Sequence, residues 1–244
     1  MNLILLESAD FADAEQRRAR LTGRRLAHLR EVHRAELGDE LRVGLVGGLI
    51  GTGRVVALDE AEAQLEVDLQ GEPPAPLDLH LVLALPRPRQ LKRCLEAAAS
   101  LGVKEITLVN AWRVEKSYWQ TPVLEEETLR HHLVLGLEQA RDTVLPRVTQ
   151  KKLFKPFVED ELPALVAGKR ALVAHPVAPL VAEAACPEAS AESTVLCIGP
   201  EGGWLPYEVD KLVEAGCRAV GLGPRILRTE VALPTLVARL TPLK

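Results

Sequence analysis

The sequence predicts an α/β protein in two parts: a small β-barrel, then a parallel sheet covered by helices on both faces. Three observations carry this prediction. Short strand-like runs separated by turn residues fill the stretch up to Leu69. From Leu77 onward, apolar runs alternate with helical periodicities. Between the two patterns stands Gln70 to Pro76 (QGEPPAP), a Gly/Pro segment with little apolar content that reads as a linker. Clustered short strands indicate a barrel or sandwich, and strands alternating with helices indicate a parallel sheet. Domains are therefore expected over 1–72 and 77–244.

Composition narrows the classes of function. Hydrophobic residues are 47% of the chain but aromatics only 3%, so the core must be mostly Leu, Val and Ala. A net charge of −4 argues against nucleic-acid binding through the whole surface but permits a local basic patch. The cysteines Cys94, Cys186, Cys197 and Cys217 have no CxxC spacing and lie in apolar surroundings. They are expected to be buried, reduced thiols, with no metal site. The start MNLILLESAD has a short apolar run without a preceding positive charge and reads as a first strand rather than a signal peptide. No stretch approaches the ~20 apolar residues of a membrane span. A soluble, cytoplasmic protein with no membrane partner is expected.

In the first part, Leu3 to Leu6 is a strand candidate. Leu26, Leu29 and Val32 recur at helical spacing, with Arg24, Arg25, Arg30 and Arg34 between them. Between Arg17 and Arg34 there are seven arginines and one acid, Glu31. Surface helices normally mix both signs, so this run is a candidate phosphate contact for RNA or DNA. Glu40 to Val46, Gly53 to Leu58 and Gln64 to Leu69 read as strands. The run GLVGGLIGTG from Gly44 to Gly53 spells no GxGxxG or GK[ST] and reads as hairpin turns.

In the second part, strands are expected at Leu79–Leu85, Glu105–Val109, Arg170–Ala174, Thr194–Ile198 and Ala219–Leu222. Helices are expected after Pro88, over Leu124–Arg141 and Val158–Ala167, from Pro206 to Gly216, and at the end with Thr229 as N-cap. His131 and His132 lie on a helix without a partner acid and are expected at the surface. Ligands of parallel sheets bind at the carboxyl ends of the strands. Leu85-Pro86, His175-Pro176 and Ile198-Gly199 are therefore the candidate positions; His175 is titratable but is not assigned as a base.

Two turns stand out. In Ile198 to Trp204 (IGPEGGW), three glycines permit close approach of a ligand to bare backbone, and Glu201 is the side chain able to take a charge role. In Leu222 to Ala232 (LGPRILRTEVA), Arg225 and Arg228 stand just before the last helix, and Glu230 suits its positive end.

These two motifs resemble the C-terminal signature of the bacterial 16S ribosomal RNA uridine N3-methyltransferases, of the SPOUT class. HLREVHRAELGDEL (His28 to Leu41) and SLGVKEI (Ser100 to Ile106) extend the resemblance over most of the chain. The resemblance implies a PUA-like RNA-binding barrel, a C-terminal domain with a deep trefoil knot, a homodimer, and S-adenosylmethionine bound in the knot. By position, the cofactor residues would be Ala174, His175, Ile198, Gly199, Glu201, Gly203, Leu222, Gly223, Leu227 and Thr229. Arg228 and Glu230 would be catalytic, Arg228 stabilising the anion that develops on uracil and Glu230 or Glu201 accepting the imide proton. RNA, as 16S rRNA or the small ribosomal subunit, would meet Arg17, Arg24, Arg25, Arg30 and Arg34. The chain departs from the family pattern at Leu205, where a Ser usually caps the following helix, and at Pro234 inside the last helix. The rival readings are a SPOUT enzyme acting on another rRNA base or on a ribose 2′-hydroxyl, and a ribosome-associated RNA-binding protein without catalysis.

Overall fold

The computed structural model describes residues 2–13, 15–176 and 192–241. They form two compact units: Met1–Ala75 with Val134–Leu145, and Pro76–Leu133 with Pro146–Lys244.

The first unit is a five-stranded sheet in the order β1-β3-β4-β5-β2, formed by β1 (Ile4–Leu6), β2 (Arg18–Leu21), β3 (Glu40–Leu45), β4 (Ile50–Leu58) and β5 (Ala63–Gly71). β1 runs parallel to β3 and the other pairs are antiparallel. Along β5, Ala63, Leu65 and Val67 face a core shared with Leu6, Leu21, Leu29, Val43 and Val55, while the residues between them face out. This two-residue alternation is what a half-buried sheet requires.

β2 lies within the arginine run, where no strand was expected. Its burial alternates, with Ala19 and Leu21 inward and Arg18 and Arg20 outward. Helix α1 (Gly23–His28) continues as a π-helical turn over Leu29–His33. Leu26 and Leu29 are buried as the periodicity predicts, but Val32 is 64% exposed. The π-turn's wider hydrogen-bonding step takes Val32 out of line with the apolar face.

The second unit is built on a fully parallel six-stranded sheet in the order β11-β9-β10-β6-β7-β8. Its strands are β6 (Leu77–Ala84), β7 (Val103–Val109), β8 (Arg147–Lys151), β9 (Arg170–Ala174), β10 (Thr194–Ile198) and β11 (Arg218–Val220). β10 is buried along its whole length, as its continuous apolar run implies. Among the described residues its helices are α2 (Pro88–Ser100), the part of α3 (Glu126–Ala140) before Val134, α4, α5 (Pro206–Glu214) and α6 (Thr229–Leu240). α4 is assembled from Phe154–Pro156, a π-helical stretch Phe157–Glu161, and Leu162–Val166.

Pro88 opens α2, where its missing N–H costs nothing. The N-cap of α6 is Arg228, with Thr229 as the first helical residue, so the expected Thr229 cap is displaced by one position. At α5, Leu205 offers no side-chain cap; the Glu208 carboxylate instead reaches back 2.8 Å to the Leu205 N–H. His132 is buried, not at the surface as expected, because Glu96 on α2 meets its Nδ1 at 2.7 Å. Among the described residues no helix is long and apolar enough to cross a membrane.

Candidate active site

The carboxyl ends of β9, β10 and β11 stand side by side, with Ala174 in register with both Ile198 and Val220. The chain leaves β10 through Gly199 to Gly203, and after β11 it runs through Gly223 to the start of α6. Between these turns opens a cavity of about 340 Å³. All ten residues assigned to the cofactor line it: Ala174 and His175 from the end of β9, Ile198, Gly199, Glu201 and Gly203 from the first turn, and Leu222, Gly223, Leu227 and Thr229 from the second. They come from three strand ends, and the sheet register brings them together.

Local packing explains why the first turn needs its glycines. The Gly203 N–H donates to the Pro200 carbonyl at 2.8 Å, closing a tight turn, and Gly203 adopts φ +73°, which favours glycine. A Cβ on Gly199 would sit 3.1 Å from the ring of Trp204, which is buried beneath the turn. A Cβ on Gly202 would sit 2.8 Å from the Arg113 side chain. Arg113 also donates from Nη1 to the Gly202 carbonyl, so the loop after β7 braces this wall. Arg113 is a cavity residue that motif reading misses. It lies far upstream of the glycine turns, and nothing in its neighbourhood marks it.

The charged side chains divide. Glu201 lines the cavity, and its Oε1 accepts the backbone N–H of Arg87, the N-cap of α2, at 2.9 Å. Arg225 also lines it. Arg228 is exposed at the N-cap of α6, between two lining residues. Glu230 is not in the wall: its carboxylate is directed toward α2, 3.9 Å from Arg93 Nη1, with Oε2 buried and unpartnered.

A family model described as an RNA methyltransferase domain matches residues 73–241. A Treponema pallidum protein named ribosomal RNA small subunit methyltransferase E is 30% identical over 209 residues, covering 85% of this chain and 79% of its own. A Synechocystis protein of the same name is 28% identical over 234 residues, covering 91% and 72%. The chain belongs to the ribosomal RNA small subunit methyltransferase E family. The fold is shared with the crystal structure of such an enzyme from Neisseria gonorrhoeae, bound to S-adenosyl methionine, at TM-score 0.74 and 22% identity over 98% of this chain and 95% of that one.

The arginines expected to meet RNA are not equivalent. Arg24 forms a bidentate pair with Glu138, both bonds 3.0 Å long, and the Glu138 side chain is only 2% exposed. Arg25 is paired with Asp10 at 2.5 and 2.6 Å and also donates to the Leu5 carbonyl at 2.9 Å. The Asp10 carboxylate holds the Arg25 guanidinium above its ordinary pKa, against the opposing effect of burial. These two arginines hold the first unit together. Arg17, Arg30 and Arg34 are exposed.

Cys94, Cys197 and Cys217 are buried and free, and Cys186 lies outside the described residues. Burial pushes the Cys94 thiol up to about 12, which leaves it unreactive. Among the described residues no group of His, Cys, Asp or Glu could hold a metal ion.

Proposed function

We propose that this chain is an S-adenosylmethionine-dependent methyltransferase that modifies N3 of a uridine in 16S ribosomal RNA. The observation that carries this reading is the convergence of all ten expected cofactor residues on one cavity, in a chain of the small subunit methyltransferase E family. The cavity fits the cofactor. A Cβ on Gly223, at φ +92°, would meet no atom within 4 Å, so that turn offers bare backbone and open space to an adenine edge. Ile198, Leu222 and Leu227 supply apolar walls. Bound there, S-adenosylmethionine supplies a methyl group on a positively charged sulfur.

The protein's own contribution is orientation and charge. Holding two substrates in line is worth about 7–11 kcal/mol of barrier in favourable cases. In this reading Arg228, assisted by Arg225 in the wall, stabilises the negative charge that grows on the uracil oxygens as the imide proton leaves. Glu201, rather than Glu230, accepts that proton, because Glu201 lines the cavity while Glu230 faces Arg93. Arg228→Ala should lower turnover while leaving cofactor affinity intact; unchanged turnover would remove Arg228 from the mechanism.

The same reading makes the first unit a PUA-like RNA-binding barrel over 1–72 and the second a SPOUT domain over 77–244 with a trefoil knot. It also makes the protein a cytoplasmic homodimer. An experimental structure with bound cofactor tests the threading. The function is tested by labelled-methyl transfer to purified small subunits and to free 16S RNA, with the modified nucleoside identified by mass spectrometry. Finding 3-methyluridine supports the proposal; a 2′-O-methylated nucleoside, another modified base, or no transfer refutes it.

A further inference from the structure

The second unit carries another pocket, of about 680 Å³, at the carboxyl ends of β7 and β8. It gathers half of the chain's few aromatic residues. The whole sequence has three Trp, two Tyr and three Phe, and Trp112, Trp119, Phe154 and Tyr207 line this one pocket. Trp112 is 80% exposed and Tyr207 51% exposed, a costly display of apolar surface unless something lies on it. Lys116, Lys152 and Lys155 share the rim. Among the described residues Lys116 and Lys152 have no ion-pair partner, and Lys155 has only a surface contact of 3.9 Å with Glu159.

Against these three lysines the pocket holds one acidic residue, Glu208, so positive charge is in excess. Glu208 is buried, and its carboxylate already accepts the N–H of Trp112 at 2.7 Å and of Leu205 at 2.8 Å. It is a positioning residue, fixing the Trp112 backbone against the start of α5. Trp119 is fixed as well, donating from Nε1 to the Asn110 side chain at 2.9 Å. The Trp112 backbone and the Trp119 ring are therefore held in place before any ligand arrives, while the Trp112 and Tyr207 rings face outward.

We propose that this pocket is a binding site for single-stranded RNA, in which a nucleobase beside the target stacks on Trp112 or Tyr207 and the lysines contact its phosphates. Rigid aromatic faces combined with cations are what single strands require, because every base has a π-face and every nucleotide a negative charge. A second protein copy fits less well, since protein interfaces are depleted in lysine. The placement agrees. Trp112 and Arg113 are consecutive, one lining this pocket and the other the cofactor cavity. Buried Trp204 divides the two, packing against Gly199 on one side and Phe154 on the other, with ring centroids 5.9 Å apart in the second contact. A strand placing its target base over the cavity would lay the neighbouring nucleotide here.

This proposal rests on an RNA substrate for the chain, and its test separates the two. Trp112→Ala removes an exposed ring and should leave thermal stability unchanged. Binding of a fluorescein-labelled oligouridylate, followed by anisotropy, should weaken about tenfold, with unchanged affinity for S-adenosylmethionine measured by calorimetry. Lys116→Gln combined with Lys152→Gln should reduce the slope of log affinity against log salt by about 1.4. Oligomers carrying 4-thiouridine, photo-cross-linked to the full chain and mapped by mass spectrometry, should label Trp112 or Tyr207. Wild-type affinity in Trp112→Ala, an unchanged salt slope, or cross-links confined to residues 2–72 overturns the site. Wild-type protein that binds the oligomer here but transfers no methyl to ribosomal RNA refutes the function instead.

Discussion

At the scale of single residues, the chemistry of a position depends on partners that are remote in sequence. Arg24 and Arg25 read as phosphate contacts because no acid stands near them in the chain. Their acids, Glu138 and Asp10, arrive only through folding. Charge reversal there would therefore damage the fold, and the informative variants for RNA binding are Arg30 and Arg34. Arg24→Ala withdraws two charged hydrogen bonds from a buried carboxylate and should cost about 2 kcal/mol, discounted for the open side of Arg24. Urea unfolding checks this; wild-type stability with weakened RNA binding would return Arg24 to the RNA surface. Gly199 teaches the same lesson for a small residue. The motif suggests glycine for the benefit of a ligand, whereas the structure adds the buried Trp204 ring below it. Gly199→Ala must push that ring aside, with an expected loss of about 1–3 kcal/mol and about tenfold weaker cofactor binding. Calorimetry showing undiminished affinity would mean that the turn tolerates the methyl group.

At the scale of elements, strands and helices with strong apolar signals stand where periodicity puts them, and the weak ones do not. β9 and β10 match their expected bounds because their apolar runs are buried. β8 (RVTQK) carries no strand signal in its sequence because it is an edge strand with no fully buried residue, so burial imposes no pattern on it. β2 was hidden because its outward positions are arginines within a longer arginine run. The cavity's walls were legible as turns where glycine and proline mark strand ends, whereas Arg113, Glu208 and the aromatic pocket, which depend on strand order, carry no such mark. One pairing within the sheet has a pH consequence. On β6, His80 meets Thr107 of β7 through Nε2 at 2.8 Å, and burial, helped by Lys169, pushes its imidazole down to about 4. The folded state keeps His80 neutral, while the unfolded chain takes up the proton below about 6.5. Stability should therefore fall as pH drops from about 6.5 toward 4, by about 2 kcal/mol after allowance for solvent on the open side. His80→Asn should flatten that part of the profile in denaturant titrations; an equally steep loss in the variant would assign it to other groups.

At the scale of the whole molecule, the proposed homodimer makes a prediction that the surface supports. Ile226 is 82% exposed, and Leu227 and Val231 are also exposed, all within the turn that closes the cavity and the first turn of α6. Exposed apolar side chains clustered beside the cavity suit a contact with a second copy, and a two-fold interface would bury the same segment on both chains. The cavity of each chain would then be completed next to its neighbour. Sedimentation of the purified protein should give twice the chain mass of 26.6 kDa. Val231→Asp should give the single-chain mass without unfolding, because the position is exposed and outside the cavity wall, and an acid at the third residue of α6 is favoured by the helix's positive end. If the partner helps to hold the RNA base over the cavity, the monomeric variant should retain S-adenosylmethionine binding while methyl transfer to small subunits falls at least tenfold. A wild-type protein that sediments as one chain, or a monomeric variant with full transfer activity, would make each chain a complete enzyme on its own.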